Sequence, residues 1–115
     1  MKSVTVTLPV PGSANTNWRM GNGRMYKSAG SRSYRALIEP ICRKALRKPF
    51  ARPVSVQVIW YRARKSGDLD NRLKVLLDSI NGMLYEDDSQ IYYIEAERRD
   101  DPENPRMVLI VEEAA

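Results

Sequence analysis

The segment Asp68-Leu69-Asp70-Asn71-Arg72-Leu73-Lys74, followed by Asp78 and by Glu86-Asp87-Asp88-Ser89-Gln90, gathers six carboxylates and a lysine within 21 residues. Carboxylates crowded together repel one another, and a divalent cation relieves that repulsion. An all-oxygen donor set favours Mg²⁺ or Mn²⁺ over zinc or copper. Such an ion can activate water and stabilise charge on a phosphoryl oxygen. Other chemistries are excluded by what the chain lacks. It has no histidine and a single cysteine, Cys42. Catalytic triads, histidine bases, Cys/His zinc sites and an intrachain disulfide are therefore ruled out. Any catalysis rests on carboxylates, Lys, Arg, Tyr or Ser.

Spacing limits what each acid can do. On a helix with about 100° per residue, Asp70 at 0° places Lys74 at about 40° and Asp78 at about 80°. Leu69, Leu73, Leu76, Leu77 and Ile80 cluster between about 240° and 340°. The three charged residues thus border the apolar face and line the edge of a cleft. Asp70 and Asp78 are about 12 Å apart along the axis and cannot share one ion. Asp68 and Asp70 can, if Asp68 precedes the helix, and Asp88 can join them if the chain folds back to that end. Spacing alone leaves other readings open. Asp68 can be an N-cap with Asp70 favoured by the helix dipole. Asp70, Lys74 and Asp78 can be ordinary i,i+4 surface partners, and the later acids can simply form a turn.

The elements that must position these residues follow from periodicity. Val4, Val6 and Leu8 alternate with threonines as a strand that Pro9-Val10-Pro11-Gly12 ends. Residues 12–30 show no helical or strand period. A helix is expected from about Ser31 to Arg47, with Tyr34, Leu37, Ile38, Ile41 and Ala45 on its apolar face and a kink or break at Pro40. Val54, Val56, Val58 and Trp60 mark a second strand, and Leu69 to Asn81 a second helix stopped at Asn81-Gly82. Two further strands, near Ile91–Arg98 and Met107–Val111, are expected to form a hairpin around the turn at 100–105. The expected fold is α+β, in the order β-α-β-α-β-β, a four-stranded mixed sheet with two helices packed on one face. At 115 residues the chain is read as one domain, 1–115.

Charge is split along the chain. Residues 1–66 hold 14 Lys/Arg against the single acid Glu39, a net +13, whereas residues 67–115 hold 5 Lys/Arg against 13 Asp/Glu, a net −8. The division reads either as two differently solvated surfaces or as a polyanion grip beside a metal-chelating patch. Arg19, Arg24 and Lys27, interleaved with Trp18 and Tyr26 in the Gly/Asn/Ser-rich segment, suit phosphate contact and base stacking. Arg64 and Lys65 continue the basic surface toward the acidic motif. No apolar run approaches the roughly 20 residues of a membrane span. Met1–Val6 alternates as a strand and not as a signal peptide, so a cytoplasmic location with no membrane contact is expected.

The motif as a whole resembles the RusA-type crossover-junction endodeoxyribonucleases, which resolve Holliday junctions. The likeness lies in Asp68-Leu69-Asp70-Asn71, Lys74, Asp78 and Tyr85-Glu86-Asp87-Asp88-Ser89-Gln90. It extends to Leu8-Pro9-Val10-Pro11, the basic loop and the Tyr34-Arg35 helix. One departure is Ser66-Gly67, where some members keep basic residues up to the motif. The resemblance implies a Mg²⁺-dependent homodimer, with Mn²⁺ able to substitute, that makes symmetric paired nicks in four-way or other branched DNA. It assigns Asp68, Asp70 and Asp88 as metal ligands and catalytic acids and Lys74 as the essential lysine, with Asp78 and Asp87 at further acidic positions. In-line attack of water on a backbone phosphate, with the 3′ oxygen leaving, is the expected reaction. The alternatives are a branched-DNA-binding protein without turnover and a small RNA-binding or interaction module.

Overall fold

The computed structural model describes residues 2–11, 18–21, 24–27, 29–63 and 68–114. The elements run β1 (Ser3–Leu8), β2 (Trp18–Gly21), β3 (Arg24–Lys27), α1 (Ala29–Ala45), β4 (Val54–Arg62), α2 (Leu69–Ile80), a 3₁₀ turn (Asp88–Gln90), β5 (Ile91–Asp100) and β6 (Arg106–Glu113). The principal sheet is four-stranded and mixed, in the order β1-β6-β4-β5. The α+β architecture and the β-α-β-α-β-β order expected from periodicity are those observed.

Alternation along each strand sets the buried face. Val4, Val6 and Leu8 of β1, Val54, Val56, Val58 and Trp60 of β4, and Met107, Leu109 and Val111 of β6 all enter the core. Tyr34, Ile38 and Cys42 of α1 and Leu76 and Ile80 of α2 close over them. Polar ties fix the helices. The Tyr34 hydroxyl donates to the Pro9 carbonyl at 2.7 Å, and Arg35 donates to the Ser79 carbonyl at 2.6 Å. Burial holds the Tyr34 phenol well above its ordinary pKa, so it remains a donor.

Four expectations are corrected. First, β5 and β6 do not form a hairpin. β6 lies between β1 and β4, antiparallel to both, and β5 pairs with β4 in parallel as an edge strand. The 101–105 connection crosses the end of β4, where the Asp101 N–H donates to the Arg62 carbonyl at 2.9 Å. The physical reason is composition. β6 buries Met107, Leu109 and Val111 completely, whereas β5 carries Glu95, Glu97, Arg98 and Arg99, which suit an edge. Second, the segment without periodicity contains a two-stranded antiparallel ribbon, with Trp18 opposite Lys27 and Gly21 opposite Arg24. Two four-residue strands are too short to show a period.

Third, α1 runs unbroken through Pro40. Fourth, the buried stripes of both helices are rotated from those read off hydropathy. In α1 the i,i+4,i+8 set Tyr34, Ile38 and Cys42 is buried, while Leu37 and Ile41 are 56% and 37% exposed. In α2 the buried set is Val75, Leu76, Ser79 and Ile80. Ser79 tolerates this because its hydroxyl donates to the Val75 carbonyl at 2.7 Å. Leu73 and Leu77 are thereby left partly open to the cleft described next.

Candidate active site

The crossover β4–α2–β5 joins two parallel strands, so α2 lies over the β5 side of the sheet. A groove of about 560 Å³ separates them. Leu73, Leu77, Ile91 and Ile94 form its apolar floor, and Asp70, Lys74, Asp78 and Asp88 its polar walls. The cleft edge expected from the helical wheel is therefore present, and it brings four of the predicted residues together. Asp70, Lys74 and Asp88 are exposed, and among the described residues no ion pair or hydrogen bond engages the side chains of Asp70, Lys74, Asp78 or Asp88. That disposes of the i,i+4 surface-pairing reading.

Asp68 is not among the groove-lining residues. It occupies the N-cap position of α2 with extended backbone, φ −86° and ψ 134°, yet its carboxylate makes no capping bond. The amide of Asn71 donates to it at 3.4 Å instead. Its oxygens thus stand at the head of α2, uncommitted to the helix N–H groups. Asp70 shares that head. Asp88 stands at the entry of β5, which the parallel pairing of Val54 with Ile91 places at the other end of the crossover. Asp78, Asp87 and Asp88 lie near the Tyr85 phenol, whose hydroxyl donates to the Leu77 carbonyl at 2.9 Å. Burial first, and then the charges of Asp88, Asp78 and Asp87, hold that phenol protonated. The acids are spread along one groove, and no group of three metal-ligating side chains clusters among the described residues. The donor chemistry fits Mg²⁺ nonetheless. All donors are oxygens in a groove open to solvent, and Mg²⁺ is commonly held by one or two carboxylates while keeping several waters.

Asp87 and Gln90 build the turn that presents Asp88. Hydrogen bonding from Ser89, its side chain first and then its N–H, which donates to the Asp87 carboxylate at 3.1 Å, holds that carboxylate below the usual carboxylate pKa. Gln90 closes the capping box, its Oε1 accepting from the Asp87 N–H at 2.8 Å. Its Nε2 donates to the carbonyls of Phe50 and Arg52, both at 2.8 Å, anchoring the turn to the lead-in of β4. Sequence reasoning missed Gln90 as a positioning residue, although Asp87-x-x-Gln90 is a capping-box spacing. Gln90→Ala is expected to slow DNA cleavage about tenfold and to raise the Mg²⁺ concentration for half-maximal rate, because three bonds that fix Asp88 are lost. A Mg²⁺ titration of the cleavage rate reads this. An unchanged half-maximal concentration would assign Gln90 to stability alone.

Of the residues read as DNA contacts, Arg19, Arg24 and Lys27 fall on the β2–β3 ribbon, whereas Arg64 and Lys65 lie outside the described residues. No described helix is long and apolar enough to cross a membrane.

Comparisons with known proteins identify the family. Residues 8–112 match the family model described as "Endodeoxyribonuclease RusA". Curated relatives include the crossover junction endodeoxyribonucleases RusA of Escherichia coli strain K12 and of Escherichia coli O1:K1, each 31% identical over 94 residues, covering 79% of this chain and 78% of the relative. The RusA protein of Shigella sonnei strain Ss046 matches with the same identity and coverage. With a family match over residues 8–112 and relatives 31% identical over most of both chains, the chain belongs to the RusA endodeoxyribonuclease family.

Proposed function

We propose that this protein is a structure-selective DNA endonuclease that resolves Holliday junctions by symmetric paired nicks. The observation that carries the reading is the groove in which Asp70, Lys74, Asp78 and Asp88 stand unpaired over an apolar floor, in a chain matched to the family over residues 8–112. The residues that would hold Mg²⁺ stand at two ends of the groove, Asp68 and Asp70 at the head of α2 and Asp88 at the entry of β5 with Asp78 and Asp87 near it, so Asp88 does not fold back to Asp68 and Asp70 as the spacing argument had allowed. When bound, the ion supplies Lewis acidity next to the scissile phosphate. The chain's own groups do the rest. The Lys74 ammonium meets the negative charge that grows on the phosphoryl oxygens as water attacks in line and the 3′ oxygen departs. Leu73, Leu77, Ile91 and Ile94 keep solvent from one side of the groove. The basic half of the chain supplies affinity through sequence-independent phosphate contacts. Such a protein works in the cytoplasm, where it meets its DNA.

Four-way junctions, linear duplex, single-stranded DNA and RNA, each at one fixed salt concentration in Mg²⁺, Mn²⁺ or EDTA, test this on denaturing gels. Paired nicks confined to junctions and abolished by EDTA are expected. Tight junction binding without nicks in either metal would leave a binding protein in place of an enzyme.

Among the described residues there is one acidic groove, which makes one cut at a time, whereas resolution needs two cuts related by symmetry. A closed two-fold homodimer supplies the second site and matches the two-fold character of the junction. Sedimentation at micromolar concentration without DNA should give about twice 13.2 kDa. A strict monomer that still made paired nicks within one binding event would overturn the dimer.

A further inference from the structure

The acidic half of the chain, residues 67–115, holds five cations, Arg72, Lys74, Arg98, Arg99 and Arg106. Three of them are engaged. Arg72 donates to the Pro11 carbonyl, Arg99 pairs with Glu97 at 2.9 Å, and Arg106 pairs with Asp101 at 2.9 Å. Among the described residues, Lys74 and Arg98 have neither an ion pair nor a side-chain hydrogen bond. Lys74 lines the groove, and strand register places Arg98 on the same side of the molecule. Ile94, Ala96 and Arg98 of β5 lie opposite Val56, Val58 and Trp60 of β4, whose side chains are buried beneath the helices. Directly opposed residues point to the same face of a sheet, and successive ones alternate. Arg98 therefore shares the helix-covered face with Ile94, which forms part of the groove floor. Glu95, Glu97 and Arg99 take the open face.

The level of Arg98 along the groove is fixed by α2. The guanidinium carbon of Arg72 stands 5.5 Å from the centroid of the Trp60 ring, which ties the first turn of α2 to the Trp60–Arg98 level of the sheet. Asp70 lies two residues nearer the head of the helix, about 3 Å along its axis. Arg98 lies four residues past Ile94, about 13 Å along β5. It thus stands beyond the apolar floor, at the end of the groove headed by Asp68 and Asp70, exposed on the edge strand. The two unengaged cations flank that end from opposite sides, Lys74 on the helix and Arg98 on the sheet. Protection of the edge does not require Arg98, because Glu95, Glu97 and Arg99 already place charge on β5. A guanidinium left unpaired in a half of the chain rich in carboxylates is available to another anion. Phosphate suits it, since the planar fork binds two phosphate oxygens through parallel N–H bonds.

We propose that Arg98 grips a backbone phosphate of the bound DNA at the Asp68–Asp70 end of the groove and, with Lys74 across from it, holds the strand in place for the cut. The proposal rests on the reading of the protein as a DNA enzyme, but its test reads binding alone. Junctions carrying one neutral methylphosphonate linkage, stepped through the positions around the crossover, are titrated by fluorescence anisotropy in EDTA. At each position the ratio of Kd for the neutral linkage to Kd for the charged one is compared between the wild type and Arg98→Gln. That ratio should fall about tenfold at one linkage, the scale of a charge-assisted hydrogen bond, and stay within about twofold elsewhere. Arg99→Gln removes the same charge one residue away on the open face. It should leave every ratio within about twofold of the wild type, because a distant exposed charge is screened. Both arginines are exposed, so both variants should fold. A wild-type profile in Arg98→Gln would overturn the proposal. So would equal changes in the two variants, since these would report net charge and not a contact. If the wild type binds junctions no better than linear duplex, the junction reading fails, and the same comparison on duplex still decides the role of Arg98.

Discussion

Asp70→Asn and Asp88→Asn, made singly, are expected to reduce junction cleavage in Mg²⁺ by at least about a hundredfold while leaving junction affinity within about threefold of wild type. The substitution is nearly isosteric and removes one negative charge. Metal-ion catalysis supplies several kcal/mol, and each roughly 1.4 kcal/mol is worth tenfold in rate. Losing about 2.8 kcal/mol of that contribution is a hundredfold. Folding should be spared, because both side chains are exposed and unengaged among the described residues. Exposed substitutions of this kind usually move stability by no more than about 0.5 kcal/mol. Affinity is spared for a different reason. It comes from the basic half of the chain, and removing an acid from a surface that approaches phosphates does not weaken that attraction. Single-turnover cleavage with protein in excess isolates the chemical step from binding. Cleavage at the wild-type rate by Asp70→Asn in Mg²⁺ would sink the assignment.

Lys74→Ala should lower the single-turnover rate by about a hundredfold, the usual scale for losing one donor aimed at a developing oxyanion, with less than about a threefold change in Kd. The lysine is exposed in the groove and unpaired by Asp70 or Asp78, so its ammonium is available to a phosphate. It is one cation among 19 Lys and Arg, which is why binding should hardly notice its loss. Lys74→Arg should recover little of the rate, since a planar guanidinium does not place its charge where an ammonium does. The contrary outcome is equally readable. If junction affinity collapses while the saturated complex is cut at the normal rate, Lys74 grips DNA and takes no part in the chemistry.

The groove was legible in sequence to an unusual degree because its parts are local. Asp70, Lys74 and Asp78 share one helix edge by virtue of 3.6-residue periodicity, and that edge follows from α2 whatever the helix packs against. Asp88 could be tied to the site only through the whole string of acids, since its position depends on how the chain returns to the sheet. Gln90 reports its anchoring role only once Phe50 and Arg52, 40 and 38 residues away in sequence, are seen as its partners. The depth of each helix face was misread for a related reason. Leu37 and Ile41 belong to the apolar stripe of α1 by hydropathy, but the sheet is covered by Tyr34, Ile38 and Cys42, leaving the first two outside.

Period-2 and period-3.6 patterning sufficed to determine which residues are strand and which helix along most of the chain, and the Asp68–Lys74 and Tyr85–Gln90 strings sufficed to determine the family. These are properties of neighbouring residues. Only the tertiary structure decided that β6 is the strand between β1 and β4 and that charged β5 forms the edge, because strand order is set by pairing between segments far apart in sequence. It alone decided that the carboxylates are strung along a groove and not gathered at a point, since α2 runs back across the sheet between Asp70 and Asp88. It alone also brought Trp60 of β4 beside Arg72 of α2 and so set Arg98 of β5 level with the head of that helix. No local pattern marks such a placement, for each residue taken singly is an ordinary core aromatic, an ordinary helix arginine or an ordinary edge-strand arginine.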